Sequence, residues 1–313
     1  MVHLQRETKI NAMQPHYRNV EVQASNSSPL QLSYLDQPPS QPGKNTLGTI
    51  LLLHGFPQTA HQFRHIIPHL AKAGYRCIAP DYRGAGRSSK AVSDFRKSTM
   101  AADMFALLEA LEISEPVHVV GHDIGGMIAY NLASIFPDRV ESVCWGECPL
   151  PGTRAYEVDR KEHAVDFFHF IFHSVPDLPE ALVEGKERIY VSHFLNKITY
   201  NFNAFSEADI DFYARAYAQP GAMRCAFGVY RAFEVDAAEN RERVAEHGKC
   251  GVRSLLLTGE HSRHRAEAEK MALEVTEEEK LTVEVIGEAC HYLAEENPEG
   301  FADAVLRFVA GSQ

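Results

Sequence analysis

The chain has 313 residues, which is enough for one large α/β domain with an insertion or for two domains. Its 31 lysines and arginines against 42 aspartates and glutamates give a formal charge of −11, which disfavours nucleic acid and anionic membranes as partners. The first ten residues lack the apolar core of a signal peptide, and no apolar run approaches the length of a membrane span. We therefore expect a cytoplasmic protein whose six cysteines are reduced.

The N-terminal half alternates between predicted strands and helices. Weak alternation of polar and apolar residues predicts an antiparallel hairpin formed by residues 17–24 and 30–36. An uninterrupted apolar run, typical of a strand covered on both faces, predicts a strand within 49–57. Further strands are predicted within 75–81, 117–126 and 139–147. Helical spacing of apolar residues predicts the intervening helices, 60–73, 97–112 and 127–136.

The alternation of strands and helices stops after residue 147. Residues 148–250 are rich in aromatic and charged residues and are mostly helical in pattern. Alternation then resumes, with strands at 254–260 and 281–287 and a last helix near 298–310. The sequence thus predicts a core in two parts, 1–147 and 251–313, interrupted by a helical insertion of residues 148–250. We predict an α/β fold with a mostly parallel sheet, antiparallel strands at its N-terminal end, and helices on both faces.

The most informative stretch runs from Val117 to Gly126 and reads V-H-V-V-G-H-D-I-G-G. A buried strand that turns into a helix through G-x-D-x-G places the middle residue, Asp123, at the apex of a strained turn with its side chain exposed. The familiar occupant of that position is serine. Aspartate there is interpreted either as a nucleophile or as an ordinary helix N-cap, a position that aspartate favours.

Three further stretches stand at predicted strand ends in a recognisable order. They are H-G-F-P at 54–57, D-Y-R-G-A-G-R-S from Asp81, and G-E-A-C-H-Y-L-A-E-E-N-P, which contains the late histidine His291. Together with G-H-D-I-G-G they resemble the α/β-hydrolase fold, and within it the epoxide hydrolase branch. The resemblance spans about residues 17–310 and is weakest in 148–250, which would correspond to the family's cap domain.

An aspartate nucleophile suits alkyl transfer, such as epoxide opening or carbon–halogen displacement, because its attack on carbon forms an ester that water must then cleave. A histidine must activate that water, and an acid must orient the histidine. His291 is the candidate base. In many relatives the acid is an aspartate after the strand equivalent to 254–260, but Ser262 stands there. Glu147 and Glu260 remain as candidate acids, and we favour Glu147 because it ends a strand at the edge where sites of open α/β sheets lie.

The resemblance also implies groups that stabilise charge on oxygen. The backbone N–H groups of Phe56 and Ile124 are expected to form an oxyanion hole. Tyr230, in V-Y-R-A-F, resembles the second cap donor to the epoxide oxygen. No tyrosine fits the first donor position. His169 is the candidate there, with His173 as its rival, and a histidine packed on an aromatic helix face is the alternative interpretation.

The sequence therefore predicts an epoxide hydrolase that converts an apolar epoxide and water to a vicinal diol through a hydroxyalkyl ester of Asp123. Haloalkane dehalogenase is the alternative enzyme, although that family usually places tryptophan where this chain has Ile124. A non-catalytic binding protein on the same scaffold would be expected to lose Asp123 or His291. We expect no metal site, because Cys144 and Cys148 lack further ligands at zinc spacing, no organic cofactor, and a monomer or homodimer.

Overall fold

A single mixed sheet organises the structure. The computed structural model describes residues 16–23, 29–40, 46–90 and 93–311. Its strands are β1 (His16–Gln23), β2 (Pro29–Gln37), β3 (Gly48–Leu53), β4 (Tyr75–Asp81), β5 (Val117–Gly121), β6 (Val140–Gly146), β7 (Ser254–Gly259) and β8 (Leu281–Ile286). The order across the sheet is β1-β2-β4-β3-β5-β6-β7-β8. β1 and β2 form an antiparallel hairpin, β2 pairs antiparallel with β4, and the remaining pairs are parallel. The predicted fold class is confirmed.

The helices fall into two groups. Those packed on the sheet are α1 (Ile67–Ala73), α2 (Lys97–Ala110), α3 (Ile124–Ile135), α11 (Arg265–Val275), α12 (Leu293–Glu296) and α13 (Pro298–Ala310). Those between β6 and β7 are α4 (Arg154–Lys161), α5 (Phe168–Ser174), α6 (Leu178–Val183), α7 (Glu187–Lys197), α8 (Glu207–Tyr217), α9 (Ala222–Arg231) and α10 (Phe233–His247). We call residues 148–250, which contain this second group, the cap. In the part of the chain described, no helix is long and apolar enough to cross a membrane.

The sheet is covered on both faces, as its apolar strands require. Successive side chains of a strand point to opposite faces. In β3, Leu51 and Leu53 join the apolar cluster that contains α2 and α3, whereas Ile50 and Leu52 join the cluster that contains α1 and α13. All four side chains are fully buried. A run of uninterrupted apolar residues is therefore what this strand needs.

One predicted helix is divided in two. The periodicity of residues 60–73 predicts a continuous helix, but the chain forms a 3₁₀ turn, Ala60–Phe63, and then α1. Pro68 occupies the first turn of α1, where its missing N–H costs no intrahelical hydrogen bond. A continuous helix would have placed this proline in its interior. α1 ends at Ala73, and Gly74 after it has a left-handed φ of 108°, which glycine adopts without strain.

The parallel strands bring their carboxyl ends to one edge of the sheet, where the sites of open α/β sheets lie. The sharp turn from β5 into α3 at this edge needs glycine. A Cβ on Gly121 would lie 2.2 Å from the carbonyl oxygen of Gly125, and a Cβ on Gly125 would lie 2.0 Å from the carbonyl oxygen of Leu53. The absence of both side chains lets α3 begin directly against β3 and β5.

We predict that Gly125→Ala lowers the free energy of unfolding by about 3 kcal/mol, because the added methyl group collides with backbone that belongs to the sheet. Urea denaturation measures the change. Gly251→Ala is the matched control, since its Cβ would meet only the Glu277 carboxylate at 3.4 Å and its cost should stay within about 0.5 kcal/mol. Equal costs for the two variants would contradict the prediction.

Candidate active site

Asp123 stands at the turn between β5 and α3. Its backbone is strained, with φ 55° and ψ −122°. It occupies the N-cap position of α3, yet within the described residues its side chain does not make the capping hydrogen bond to the second or third N–H of that helix. The carboxylate instead faces the loop after β3. The interpretation of Asp123 as an ordinary helix cap is therefore wrong.

The two carboxylate oxygens of Asp123 have different surroundings. Oδ1 accepts a hydrogen bond from the backbone N–H of Phe56 at 2.9 Å, and the backbone N–H of Ile124 also bonds the carboxylate. Oδ2 lies 4.0 Å from Nε2 of His291. Both donors predicted for the oxyanion hole and the predicted base thus contact this one side chain, with Phe56 and His291 on different oxygens.

Burial sets the protonation of Asp123. The side chain is only 16% exposed. Burial raises the pKa of Asp123 to about 7, although its hydrogen bonds from the backbone of Ile124 and Phe56 act to lower it. A carboxyl group with this pKa is about half ionised at neutral pH.

His291 is held at its ring by Glu147 and at its backbone by His122. Its Nδ1 lies 3.3 Å from Oε2 of Glu147, and its carbonyl oxygen accepts a hydrogen bond from Nε2 of His122 at 2.6 Å. Burial lowers the pKa of His291 to about 3, so the imidazole is neutral at physiological pH. The hydrogen bond to Glu147 assigns the proton to Nδ1 and leaves Nε2 free to accept one.

Glu147 is fixed by the neighbouring strand and loop. It follows β6 directly, with a left-handed φ of 54°, and its side chain is fully buried. Oε1 accepts hydrogen bonds from the Thr258 hydroxyl and the Gly259 N–H, each at 2.9 Å. Oε2 accepts one from the Ser262 hydroxyl at 2.8 Å besides its contact with His291. Ser262 therefore holds the carboxylate that contacts the histidine.

Glu260 lies elsewhere. Its side chain is 47% exposed, accepts the backbone N–H of Glu288 at 3.1 Å, and lies 3.8 Å from Nε2 of His261. The structure thus brings Glu147, and not Glu260, to His291. The catalytic role of Glu147 stays a prediction.

Two cap residues line the same cavity as Asp123, which has a volume of about 370 Å³. His169, from α5, and Tyr230, from α9, both line this cavity, with ring centres 5.6 Å apart. Nδ1 of His169 is buried and without a hydrogen-bond partner among the described residues. His173, one turn further along α5, is instead hydrogen-bonded through Nε2 to the Tyr190 hydroxyl at 2.6 Å. The structure therefore brings His169 rather than His173 to the cavity.

Burial also sets the protonation of these two groups. It lowers the pKa of His169 to about 3 and raises the pKa of Tyr230 well above its usual value of 10. At neutral pH the imidazole is uncharged and still carries one N–H, and the phenol keeps its proton. Both side chains can therefore donate a hydrogen bond to an oxygen atom in the cavity.

The cavity wall is aromatic but not uniformly apolar. Phe56, Phe170, Phe194 and Ile198 contribute to it, as the abundance of phenylalanine in the cap predicts. The side of the wall that reaches solvent carries charge. Arg263 forms an ion pair with Asp166 at 2.5 Å, and the Lys197 ammonium donates to the Asp166 carbonyl at 2.5 Å. These residues join the loop after β7 to the cap.

One group of side chains has donor atoms close enough to hold a metal ion. The ligand atoms of Glu147, His264 and His291 lie within 4.8 Å of one another, and they form the one such group found among the described residues. Both Glu147 oxygens already accept hydrogen bonds. We therefore interpret the group as part of the network around His291.

Comparison with known proteins agrees with this geometry. A family model described as alpha/beta hydrolase fold matches residues 48–298. The chain belongs to the α/β-hydrolase family. The soluble epoxide hydrolase of Corynebacterium sp. (strain C12) is 33% identical to this hydrolase over 266 residues, which cover 83% of this chain and 90% of that protein.

Two other similar proteins show the range of the branch. A haloalkane dehalogenase of Mesorhizobium japonicum is 32% identical over 193 residues, covering 62% of this chain and 58% of that protein. The solved structure described as "Epoxide hydrolase CorEH without ligand" is 27% identical, with a TM-score of 0.82 over 95% of this chain and 100% of that one. The predicted family is confirmed, and the chain is a hydrolytic enzyme of the branch that holds epoxide hydrolases and haloalkane dehalogenases.

Sequence reasoning did not identify the residues that hydrogen-bond to Glu147 and to the backbone of His291. Thr258 and Ser262 hold Glu147, and His122 holds the backbone of His291. Ser262 was the one of these that the sequence could have indicated. The resemblance leads to an aspartate at this position, and a serine there can supply a hydrogen-bond donor but no carboxylate, which points to an acid elsewhere. Thr258 carried no such indication, since a threonine in a strand is common.

We predict that Asp123→Asn stabilises the fold, and more so at alkaline pH. The folded protein keeps the Asp123 proton up to about pH 7, whereas the unfolded chain releases it near pH 4, so rising pH between these values favours unfolding of the wild type. The asparagine variant does not titrate. Its gain in the free energy of unfolding should be about 2 kcal/mol larger at pH 8 than at pH 5.

Denaturant titration at both pH values measures this difference, and mass spectrometry confirms that the amide is intact. Asp138→Asn, on the exposed surface, is the control and should show the same small change at both pH values. A gain for Asp123→Asn that is independent of pH would show that the carboxyl group is ionised throughout this range.

Proposed function

We propose that this α/β-hydrolase converts epoxides and water to vicinal diols through a covalent ester of Asp123. The observation that carries the proposal is the division of the carboxylate. Oδ1 accepts the backbone N–H of Phe56, while Oδ2 lies 4.0 Å from Nε2 of His291 in a cavity that His169 and Tyr230 also line. The epoxide hydrolases among its relatives support the choice of substrate.

In the first half-reaction, Oδ2 of Asp123 attacks an epoxide carbon and the carbon–oxygen bond of the ring breaks. The electron pair of that bond goes to the ring oxygen, which is a poor leaving group unless it is protonated. Tyr230 and His169 donate hydrogen bonds to this oxygen, and one of them transfers its proton. The products are a hydroxyalkyl ester on Asp123 and a deprotonated cap donor.

In the second half-reaction, Nε2 of His291 removes a proton from water and the resulting hydroxide attacks the carbonyl carbon of the ester. Negative charge develops on Oδ1, where the N–H groups of Phe56 and Ile124 stabilise it. Collapse of this intermediate breaks the bond between the carbonyl carbon and the alkyl oxygen. The leaving alkoxide takes the proton of the carboxylic acid formed on Asp123, which releases the diol and restores the carboxylate. Glu147 stabilises the imidazolium, whose proton returns to the cap donor.

The shape of the cavity favours a small aryl or alkyl epoxide. Its volume of about 370 Å³ and its aromatic wall near Asp123 suit an apolar group beside the reacting carbon. Asp123 and His291, which a non-catalytic binding protein would be expected to lose, are both present and face one another.

Haloalkane dehalogenation is less well supported by the residues around the nucleophile. The tryptophan that dehalogenases usually place directly after it is replaced by Ile124. Trp145, the single tryptophan, is buried and packs against Tyr130 with ring centres 5.6 Å apart. Halide in this cavity would therefore lack the indole N–H that receives it in that family.

We predict that His291→Gln traps the ester. Without its base the variant should still be alkylated by styrene oxide, so that intact-protein mass spectrometry shows an adduct of the substrate's mass, mapped by peptide analysis to Asp123. The wild type should show the adduct only briefly and release the diol. Asp123→Asn, with an intact amide, is the control that should form no adduct.

Two results would reject the proposal. Halide release from 1-bromobutane, with no adduct or diol from several epoxides, would indicate a dehalogenase. The absence of any adduct from both classes of substrate would indicate a binding protein on a hydrolase scaffold.

We also predict that Glu147→Gln and Glu260→Gln differ strongly. Glutamine at 147 can still fill the space, but it removes the charge that stabilises the His291 imidazolium, so hydrolysis of the ester should slow by about a hundredfold or more. Glu260→Gln should stay within about twofold of the wild type, because exposed substitutions distant from the reacting atoms have small effects. Single-turnover kinetics with styrene oxide measures both. The reverse order would assign the acid to Glu260.

A further inference from the structure

A buried ion pair joins the core to the cap behind Tyr230. Lys97 is the first residue of α2, in the core, and Asp236 lies in the first turn of α10, in the cap. The Lys97 ammonium lies 2.8 Å from Oδ2 of Asp236, and both side chains are 1% exposed. The ammonium also donates to the carbonyl oxygen of Val229 at 3.0 Å. Val229 directly precedes Tyr230 in α9.

Each member of the pair forms a hydrogen bond with an unpaired backbone group at the end of a helix on the other side of the interface. The last four carbonyls of a helix lack partners within it, and Val229 is one of these in α9. The Lys97 ammonium therefore supplies both a donor and a positive charge where α9 needs them. In return, Oδ1 of Asp236 accepts the backbone N–H of Lys97 at 2.7 Å, at the N-terminus of α2 where negative charge is favoured.

This arrangement costs more than an apolar contact would. Burying two charges requires desolvation that their attraction does not reliably offset, so a buried ion pair is weak evidence for a contribution to stability. What such a pair can supply is a single register between two packed elements. The approach at this point is close, since a Cβ on Gly228 would lie 2.6 Å from the Phe95 ring. α9 is thus held against the core one residue before Tyr230.

We propose that Lys97 and Asp236 act as a positioning pair that fixes the Tyr230 hydroxyl above Asp123 for ring opening. The inference rests on the proposed function, in which Tyr230 donates to the epoxide oxygen. The nucleophile belongs to the core and its donor to the cap, so the distance between them depends on how α9 sits on α2. A contact that holds the backbone carbonyl beside Tyr230 fixes that distance directly.

The proposal predicts an effect on one half-reaction only. Tyr230 acts when the epoxide oxygen leaves, whereas hydrolysis of the ester uses His291, Glu147 and the oxyanion donors. Loss of the pair should therefore slow ester formation and leave ester hydrolysis unchanged. General loosening of the fold would slow both.

The experiment compares Lys97→Met, Tyr230→Phe and the double variant in single turnovers of styrene oxide, resolved by rapid quench and mass spectrometry. Lys97→Met should slow ester formation by about tenfold or more, with ester hydrolysis within about twofold of the wild type. The double variant should form the ester within about twofold of the rate of Tyr230→Phe alone. Once the hydroxyl is absent, loss of the pair that positions it should have little further effect. Lys97→Arg should recover part of the rate.

Arg83→Met is the matched control. Arg83 and Asp103 form a second buried ion pair that involves α2, at 2.5 Å, within the core. Its loss should lower the melting temperature as Lys97→Met does. Arg83→Met should form the ester within about twofold of the wild-type rate. Its effect on that rate should be independent of the effect of Tyr230→Phe, so that the two fold-changes multiply in the double variant.

Independent effects of Lys97→Met and Tyr230→Phe, or equal slowing of both half-reactions, would overturn the inference. If Lys97→Met does not fold, Lys97→Met/Asp236→Leu replaces the whole pair by apolar residues and still lacks the donor to Val229. Failure of this variant to fold, or its full rate of ester formation, would also overturn the inference. A wild type that forms no ester with any epoxide would reject the proposed function and this inference together.

Discussion

A carboxylate that is almost removed from water is the constraint on which the geometry of this site depends. Burial alone would keep the Asp123 carboxyl group protonated, and its pKa of about 7 is the balance between that burial and the backbone N–H groups of Ile124 and Phe56. Those N–H groups reach the carboxylate only because glycine stands beside each of them. A Cβ on Gly55 would lie 2.4 Å from Cβ of Asp123, and one on Gly125 would strike β3. The strained turn and the glycines are thus requirements for the contact between these N–H groups and the Asp123 carboxylate.

The sequence predicts most of the core because local patterns and one topological rule suffice there. Apolar runs mark the buried strands, and parallel strands place their carboxyl ends together, so Phe56, Asp123 and Glu147 converge without any knowledge of long-range contacts. The choice between Glu147 and Glu260 needed more than this rule. Both follow strands that are neighbours in the sheet. The left-handed turn at Glu147 and the hydroxyl groups of Thr258 and Ser262 make the difference, and they act between segments more than a hundred residues apart.

The cap resisted prediction for a different physical reason. His169 and His173 are four residues apart on α5, so helical periodicity places both on the same face and cannot separate them. The Tyr190 hydroxyl, from α7, separates them by bonding His173. The sequence near α5 does not predict the hydrogen bond between His173 and Tyr190. Partners of this kind are set by how cap helices pack on one another, and sequence periodicity reports only which face is buried.

The need for a single packing register between core and cap explains why polar groups are buried where the two meet. Apolar helix faces can pack in several registers with similar free energy, whereas a buried hydrogen-bonded pair fits only one. Besides Lys97 and Asp236, the Tyr213 hydroxyl of α8 donates to Glu295 of the core at 2.6 Å. Gln58, two residues after Phe56, donates to the same carboxylate at 3.0 Å. The loop that contains Phe56 and the cap are thereby tied to the same carboxylate. The proposed reaction moves charge between groups of the core and of the cap, and it would need both held to within a fraction of an ångström. Polar contacts supply that precision at a cost in stability that apolar packing elsewhere in the core must offset.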